Sequence, residues 1–492
     1  MTLNIRKKMI SGLLWSVVER FGQQVIQFVI TIIIARILTP ADYGLIGMIA
    51  IFMGISYSFI DSGFEQALIQ RQNTTKKDES TIFYFNIILG FIFFIIIYIV
   101  SPLIAAFYKQ PLLIPITRVV ALNIIINSFG IVQNALITKT IDFKRLTKIS
   151  LISVVISGII GIILAIKGFG VWSLVIQLIV GNIARVILLW LLSKWRPLFV
   201  FSFKSFKSLF SFGSKLLASS LLNQIFDNIY NIVIGKIYTP ASLGYYTQAK
   251  RMQEIPVNNS LTILQRVTYP VYSTIQDETE RLKNAYRKTI KAIVMLNFPL
   301  MILMIICAYP LIKVILSDKW LPAVPYLQLL CIIGLFFPLS SINLNILNVR
   351  GRTDIFFYLE IVKKILIAIA IIITFRYGIY IMVFGQVLTS FIAHFLNIFY
   401  SGRLINYSIR EQLNDISSYL FLAVGVGACV YFFGLFLNSF YLVIRLIIQI
   451  VLFGLFYGLL IHIFNLEAYT DLKSTIKSQL FNFRNDSSRV TI

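Results

Sequence analysis

Ile33-Ile34-Ala35-Arg36-Ile37-Leu38-Thr39-Pro40-Ala41-Asp42-Tyr43-Gly44 returns later in the chain as Val233-Ile234-Gly235-Lys236-Ile237-Tyr238-Thr239-Pro240-Ala241-Ser242-Leu243-Gly244. The copies stand 200 residues apart at every position (36 and 236, 44 and 244). Each has an apolar run with a base near its end, a Thr-Pro-Ala turn, and a glycine opening the next run. Proline cannot continue the preceding helix and fixes the turn, so each copy reads as a hairpin between two spanning helices. Two related halves in one membrane chain predict two lobes about a common axis, with a pathway between them. That organisation points to a transporter.

The chain around these hairpins is almost all membrane. Of its 492 residues 58% are hydrophobic and only 13% charged, where a soluble domain carries roughly twice that charged fraction. Apolar stretches of about 20 residues recur with short polar gaps, which defines an all-α polytopic membrane protein. The 44 basic residues exceed the 20 acidic by 24. Most of that excess sits in loops expected on one side of the bilayer, so it reads as topogenic and not as a nucleic-acid surface.

Spans are expected near 11–38, 44–68, 81–107, 114–138, 149–167 and 170–192, forming an N-terminal lobe over 1–200. A C-terminal lobe over 201–402 takes 209–237, 243–275, 289–316, 323–349, 356–375 and 378–400. A further pair near 416–437 and 441–464 fills 403–465, giving about fourteen helices, with a polar, partly disordered tail over 466–492. The segment 243–275 is interrupted by Lys250, Arg251, Glu254 and Pro256, and interrupted spans mark working sites in transporters. Bases crowd the loops around 71–77, 139–148, 194–207, 281–288, 350–352 and 403–410. The opposite loops hold little beyond Lys109, Lys319 and Arg376, so both termini are expected in the cytoplasm. Arg6, Lys7 and Lys8 precede an apolar run too long for a signal peptide, which is read as a retained first span.

Cys307, Cys331 and Cys429 are far apart and lack metal-ligand spacing, so they are expected to be buried thiols. His394 and His462 are the only histidines. No metal or other cofactor is expected, and without a Gly-rich Lys-Ser/Thr loop direct ATP hydrolysis is disfavoured.

A polar stripe repeats with the hairpin. Arg20, Gln23, Gln24, Gln27 and Thr31 share one helical face, and Ser220, Asn223, Gln224, Asp227 and Asn231 fill the same places 200 residues on. Lipid cannot satisfy such groups, and each unsatisfied amide in hydrocarbon costs on the order of several kcal/mol. The stripes therefore face protein, as interhelical hydrogen-bonding glue, or a water-filled cavity. Their length of about three turns favours the cavity. Arg20, Gln24, Gln27, Asn223, Gln224, Asn231, Lys250 and Arg251 are the candidate substrate-binding residues. Asp61, Glu65, Asp227 and Glu254 are the candidate ion-coupling acids, since ionisable groups inside spans suggest function by default. Arginine and lysine suit phosphate and carboxylate groups.

Several of these stretches resemble a known family. Leu38–Gly44 with the following Tyr43–Phe64, Leu243–Arg251 with Ile255–Asn258, and Val267–Ser273 before the charged loop at 276–288 are similar to Wzx-type flippases. These are bacterial polysaccharide transporters near the colanic-acid and teichuronic-acid exporter branch, within the MATE-like superfamily of multidrug, oligosaccharidyl-lipid and polysaccharide exporters. The resemblance implies two six-helix lobes forming a V-shaped cavity, plus two further helices. It implies flipping of an undecaprenyl-diphosphate-linked oligosaccharide across the bacterial cytoplasmic membrane, with glycan polymerase and glycosyltransferases as functional partners. The carrier diphosphate needs bases, which Arg20, Lys250 and Arg251 supply; the first half holds fewer buried bases than a strongly cationic lumen requires. The competing readings are a peptidoglycan-precursor flippase, a drug/cation antiporter of the same superfamily, and a membrane glycan polymerase or ligase. An antiporter prefers acidic cavities, and an enzyme of the last kind generally needs a substantial outer loop, whereas every outer loop here is short. The expectation is therefore a transporter and not an enzyme.

Overall fold

The computed structural model describes the chain except Met1, 62–63, 72–73, 204–206, 208–216, 218–219, 438–439 and 475–492. Inside helices, the side chains of 2–14, 16–17, Arg20, Asp61, 259–267 and 269–270 are likewise outside the description. The described residues are helical with no strand, and they separate into two compact units, Met1–Thr247 and Gln248–Ile492. This division falls inside a helix, later than the sequence repeat, because residues 220–247 pack with the first half.

Unit 1 runs α1 (Thr2–Ile37), α2 (Pro40–Asp61), α3 (Phe64–Gln70), α4 (Lys76–Tyr108), α5 (Leu113–Ser128), α6 (Ile131–Lys139), α7 (Phe143–Ile166), α8 (Val171–Leu192) and α9 (Ile229–Ile237), and ends in the first turns of α10 (Pro240–Thr274). Residues 220–227 are helical and lead through a turn at Asn228 into α9. Unit 2 holds the rest of α10, then α11 (Thr279–Ile306), α12 (Ala308–Ile315), a 3-10 turn (Asp318–Ala323), α13 (Val324–Val349), α14 (Thr353–Thr374), α15 (Ile379–Leu404), α16 (Ile409–Phe436) and α17 (Leu442–Ile463). The tail begins as helix over 467–474; the expected disorder of its remainder lies outside the described residues.

The expected spans fall on these helices, with much of 209–219 outside the described residues. Nine described helices are long and apolar enough to cross a membrane by themselves, and α5 with α6, bent by 43°, makes a tenth. Polar and charged residues hold α10 and α14 below that measure.

Local chemistry explains the ends. Thr75 caps α4 in a reciprocal capping box with Asp78, and Lys109 closes it in the left-handed conformation at φ 55°. Ser408 and Glu411 form the same box on α16. Small residues set the packing: α1 lies on α7 where Gly158 meets Ile30 and Gly22 meets Leu151, and Ser150 donates to Glu19 at 2.8 Å. Cys307 and Cys331 are buried as expected, but Cys429 is exposed. It lies on the side of α16 that lines a groove, so its apolar surroundings in sequence are lipid-facing in space.

Candidate functional site

The repeated hairpins fold alike. Leu38 N–H bonds to Ile34 O at 2.9 Å, and Tyr238 N–H to Ile234 O at 2.9 Å. Thr39 then caps α2, its hydroxyl donating to Asp42 at 2.7 Å and accepting from Asp42 N–H at 3.4 Å. Thr239 caps α10 in the same way, its hydroxyl 3.0 Å from that of Ser242 and accepting Ser242 N–H at 3.2 Å. Pro40 and Pro240 are the first helical residues, where a missing N–H costs nothing.

Within unit 1 the two hairpins meet back to back. A Cβ added at Gly44 would lie 1.8 Å from Pro240 O, and one at Gly244 would lie 1.9 Å from Pro40 O. The reciprocity (44 with 240, 244 with 40) is that of a two-fold contact between related surfaces. Gly47 continues the seam against Leu243 and Thr247, and Gly235 against Met48 and Tyr108. Lys236 fastens the same end, donating to Phe107 O and standing 4.3 Å over the Phe107 ring.

The second stripe divides between two environments. Ser220 pairs with Ser58 of α2 at 2.9 Å, and the Gln224 amide lies on Gly54, where an added Cβ would come within 2.5 Å of its oxygen. These two act as helix–helix glue. Asn231 donates to Asn228 Oδ1 at 3.1 Å, while its own buried Oδ1 has no partner. Asn223 and Asp227 are exposed. By 3.6 residues per turn they fall nearly opposite the exposed Leu222 and Ile225, so one side of this helix is apolar and the other is polar.

On α1, the exposed Phe21, Val25, Phe28 and Val29 mark the lipid side. Glu19, Gly22 and Ile30 face α7. Gln24 and Gln27 are both half-buried. The side chains of Arg20 and Asp61 lie outside the described residues.

The remaining candidates separate. Glu65, at the start of α3, accepts from Asn134 Nδ2 at 2.6 Å, and Asn134 Oδ1 accepts from Arg185 at 3.2 Å. This layer sits at the α5–α6 break, where Trp190 Nε1 donates to the released Phe129 carbonyl at 2.9 Å. In unit 2, Lys250 pairs with Glu254 at 3.7 Å, their side chains 24% and 46% exposed, and Arg251 is exposed one residue on.

Two features of unit 2 were not singled out from sequence. Lys283, Arg287, Lys288 and Lys291 of α11 meet Glu411 and Asp415 of α16 and Glu467 and Asp471 of the tail. The four-residue spacing of Lys283, Arg287 and Lys291, matched by Glu411 and Asp415, was the available signal. The other feature is an apolar groove of about 670 Å³ between α16 and α17, lined by Phe421, Leu422, Val426, Phe456 and Phe464.

Comparison with known proteins follows the same line. Residues 33–325 match the family model described as polysaccharide biosynthesis protein. The chain is 30% identical over 358 residues to the teichuronic acid biosynthesis protein TuaB of Bacillus subtilis, covering 72% of this chain and 74% of that one. It is 26% identical over 384 residues to the lipopolysaccharide biosynthesis protein WzxC of Escherichia coli, covering 75% and 76%. Among solved structures, lipid II flippase MurJ in an inward closed conformation superposes with a TM-score of 0.74 at 14% identity, over 92% of this chain and 99% of that one.

Proposed function

The chain belongs to the polysaccharide biosynthesis protein family, and from that premise we propose that it flips a polyprenyl-diphosphate-linked oligosaccharide across the bacterial cytoplasmic membrane for surface-polymer assembly. The observation that carries the reading is the two-sided helix at 220–227, polar and exposed at Asn223 and Asp227, apolar and exposed at Leu222 and Ile225. A glycan crossing hydrocarbon needs such a wet, amide-bearing wall, and its isoprenoid tail needs none. Relatives named for teichuronic acid and lipopolysaccharide biosynthesis support a surface polymer over the peptidoglycan precursor.

In this reading the chain works by alternating access, with 403–465 as an added helix pair and both termini cytoplasmic. Gln24, Gln27, Asn223 and Asn231 offer amides to sugar hydroxyls; Gln224, resting on Gly54, holds the wall in place. Lys250 and Arg251 take the diphosphate, whose oxygens accept charge-assisted hydrogen bonds. Glu254 beside Lys250 keeps that base paired until the diphosphate arrives. The α16–α17 groove is wide and apolar enough for a chain of isoprene units. Of the coupling acids, Asp227 lies on the exposed polar side beside Asn223, and Glu65 accepts from Asn134. The chain does no covalent chemistry; polymerase and glycosyltransferases act before and after it.

Deletion of the gene tests this. Lipid-linked repeat units should accumulate while surface polymer disappears, and restoring the wild-type chain should reverse both. Intact surface polymer, or rescue of cells depleted of their peptidoglycan-precursor flippase, would refute the assignment.

A further inference from the structure

The tail segment 467–474 lies over α11, with its Tyr469 ring edge-on to His462. Glu467 bonds to Lys291, Asp471 pairs with Lys288 at 3.0 Å, and Ala468 N–H donates to the Tyr419 hydroxyl at 3.1 Å. The carboxylates beneath it are committed in another way. Asp415 has a side chain 7% exposed and takes Arg287 in two bonds, at 2.7 and 2.8 Å, as well as the Tyr407 hydroxyl. Glu411 closes the capping box of α16 while pairing with Lys283 at 3.0 Å. Glu467 and Asp471, by contrast, have side chains 54% and 42% exposed.

Removing the strap would leave Arg287 and Lys291 sharing Asp415. Lys291 has a side chain only 8% exposed, and a buried ammonium short of counter-charge is strongly unfavourable. Lys288, 61% exposed, would stand beside it with no acid. The four bases cluster in the opening turns of a spanning helix, the depth at which lipid phosphates lie. Basic juxtamembrane clusters attract anionic lipid there by about 1 kcal/mol per base.

We propose that Lys288 and Lys291 form a binding site for the phosphate of an anionic lipid headgroup, and that the strap at 467–474 covers it, with Glu467 and Asp471 in the places the phosphate oxygens take. Strap and headgroup exclude each other, so the local concentration of anionic lipid sets how long the tail stays docked. The site lies wholly in unit 2 and does not depend on the transport reading.

Hydrogen–deuterium exchange of residues 467–474 in the full-length chain tests the competition directly. Vesicles of phosphatidylcholine alone are compared with vesicles containing phosphatidylglycerol, and with phosphatidylcholine vesicles given soluble pyrophosphate. Two base–phosphate contacts predict exchange about thirtyfold faster when phosphatidylglycerol is present. Faster exchange with pyrophosphate as well would assign the site to phosphate in general, and faster exchange with the lipid alone to a headgroup. Lys288→Gln, at an exposed position, should reduce the lipid effect severalfold, and Asp471→Asn should speed exchange even in neutral vesicles. Equal exchange in all three conditions, or slower exchange with the anionic lipid, would overturn the proposal.

Discussion

Gly44→Ala and Gly244→Ala test the hairpin seam most directly. The added methyl would lie 1.8 Å from Pro240 O in one variant and 1.9 Å from Pro40 O in the other. An ordinary carbon–oxygen contact is about 3.4 Å, so the two backbones must part by about 1.5 Å. No rotamer change relieves this, because the opposing atom is a main-chain carbonyl fixed in the first turn of a helix. Overpacking of this kind costs about 1–3 kcal/mol, which shifts an equilibrium between closed and parted hairpins by about 5- to 150-fold. The assay is thiol labelling of a cysteine placed at Ala41, in a Cys429→Ser background because Cys429 is exposed while Cys307 and Cys331 are buried. A membrane-impermeant maleimide should react faster in both glycine variants than in the parent, and by similar factors, since the two contacts are reciprocal. Unchanged labelling in both variants, with the protein folded and inserted, would refute the seam as a closing contact. An effect in only one would refute its two-fold character.

Three further outcomes follow from the same geometry. Replacing Lys250 and Arg251 together with alanine should lower surface polymer at least tenfold at matched protein level, since each charge-assisted hydrogen bond is worth about 1.5–3 kcal/mol; unchanged export removes both from the passage. Asn134→Leu strips Glu65 and Arg185 of their shared amide and should lower thermal stability in detergent by about 1–3 kcal/mol, whereas an unaltered melt would show that layer to be incidental. Arg287→Ala leaves Asp415 short of its two-bond partner and should destabilise the chain by about 3–5 kcal/mol, read as a lower melting temperature that Arg287→Lys partly restores.

The periodic features were legible in the chain alone. Hydropathy located the helices, because a spanning helix must hide its backbone polarity from lipid over a fixed length. The Thr-Pro turns located the hairpins, because proline at the first helical position and a hydroxyl before it act within four residues. The stripe at 220–231 was visible since amides at 3.6-residue spacing stand out against isoleucine and leucine. Its division was not visible. Ser220 and Gln224 differ from Asn223 and Asp227 only in where α2 lies, and Ser58 and Gly54 stand more than 160 residues away in sequence.

Distance along the chain likewise hid the charge network of unit 2. Lys291 lies 124 positions from Asp415 and 176 from Glu467 (291, 415 and 467), and no local pattern says that such groups converge. The sequence by itself determined which segments are apolar enough to span, which ends are capped, and that two hairpins share one design, because those depend on interactions within a turn or two. Which polar groups of the stripe pack on α2 and which acids shield which bases depended on how remote helices pack, and only the tertiary structure decided that.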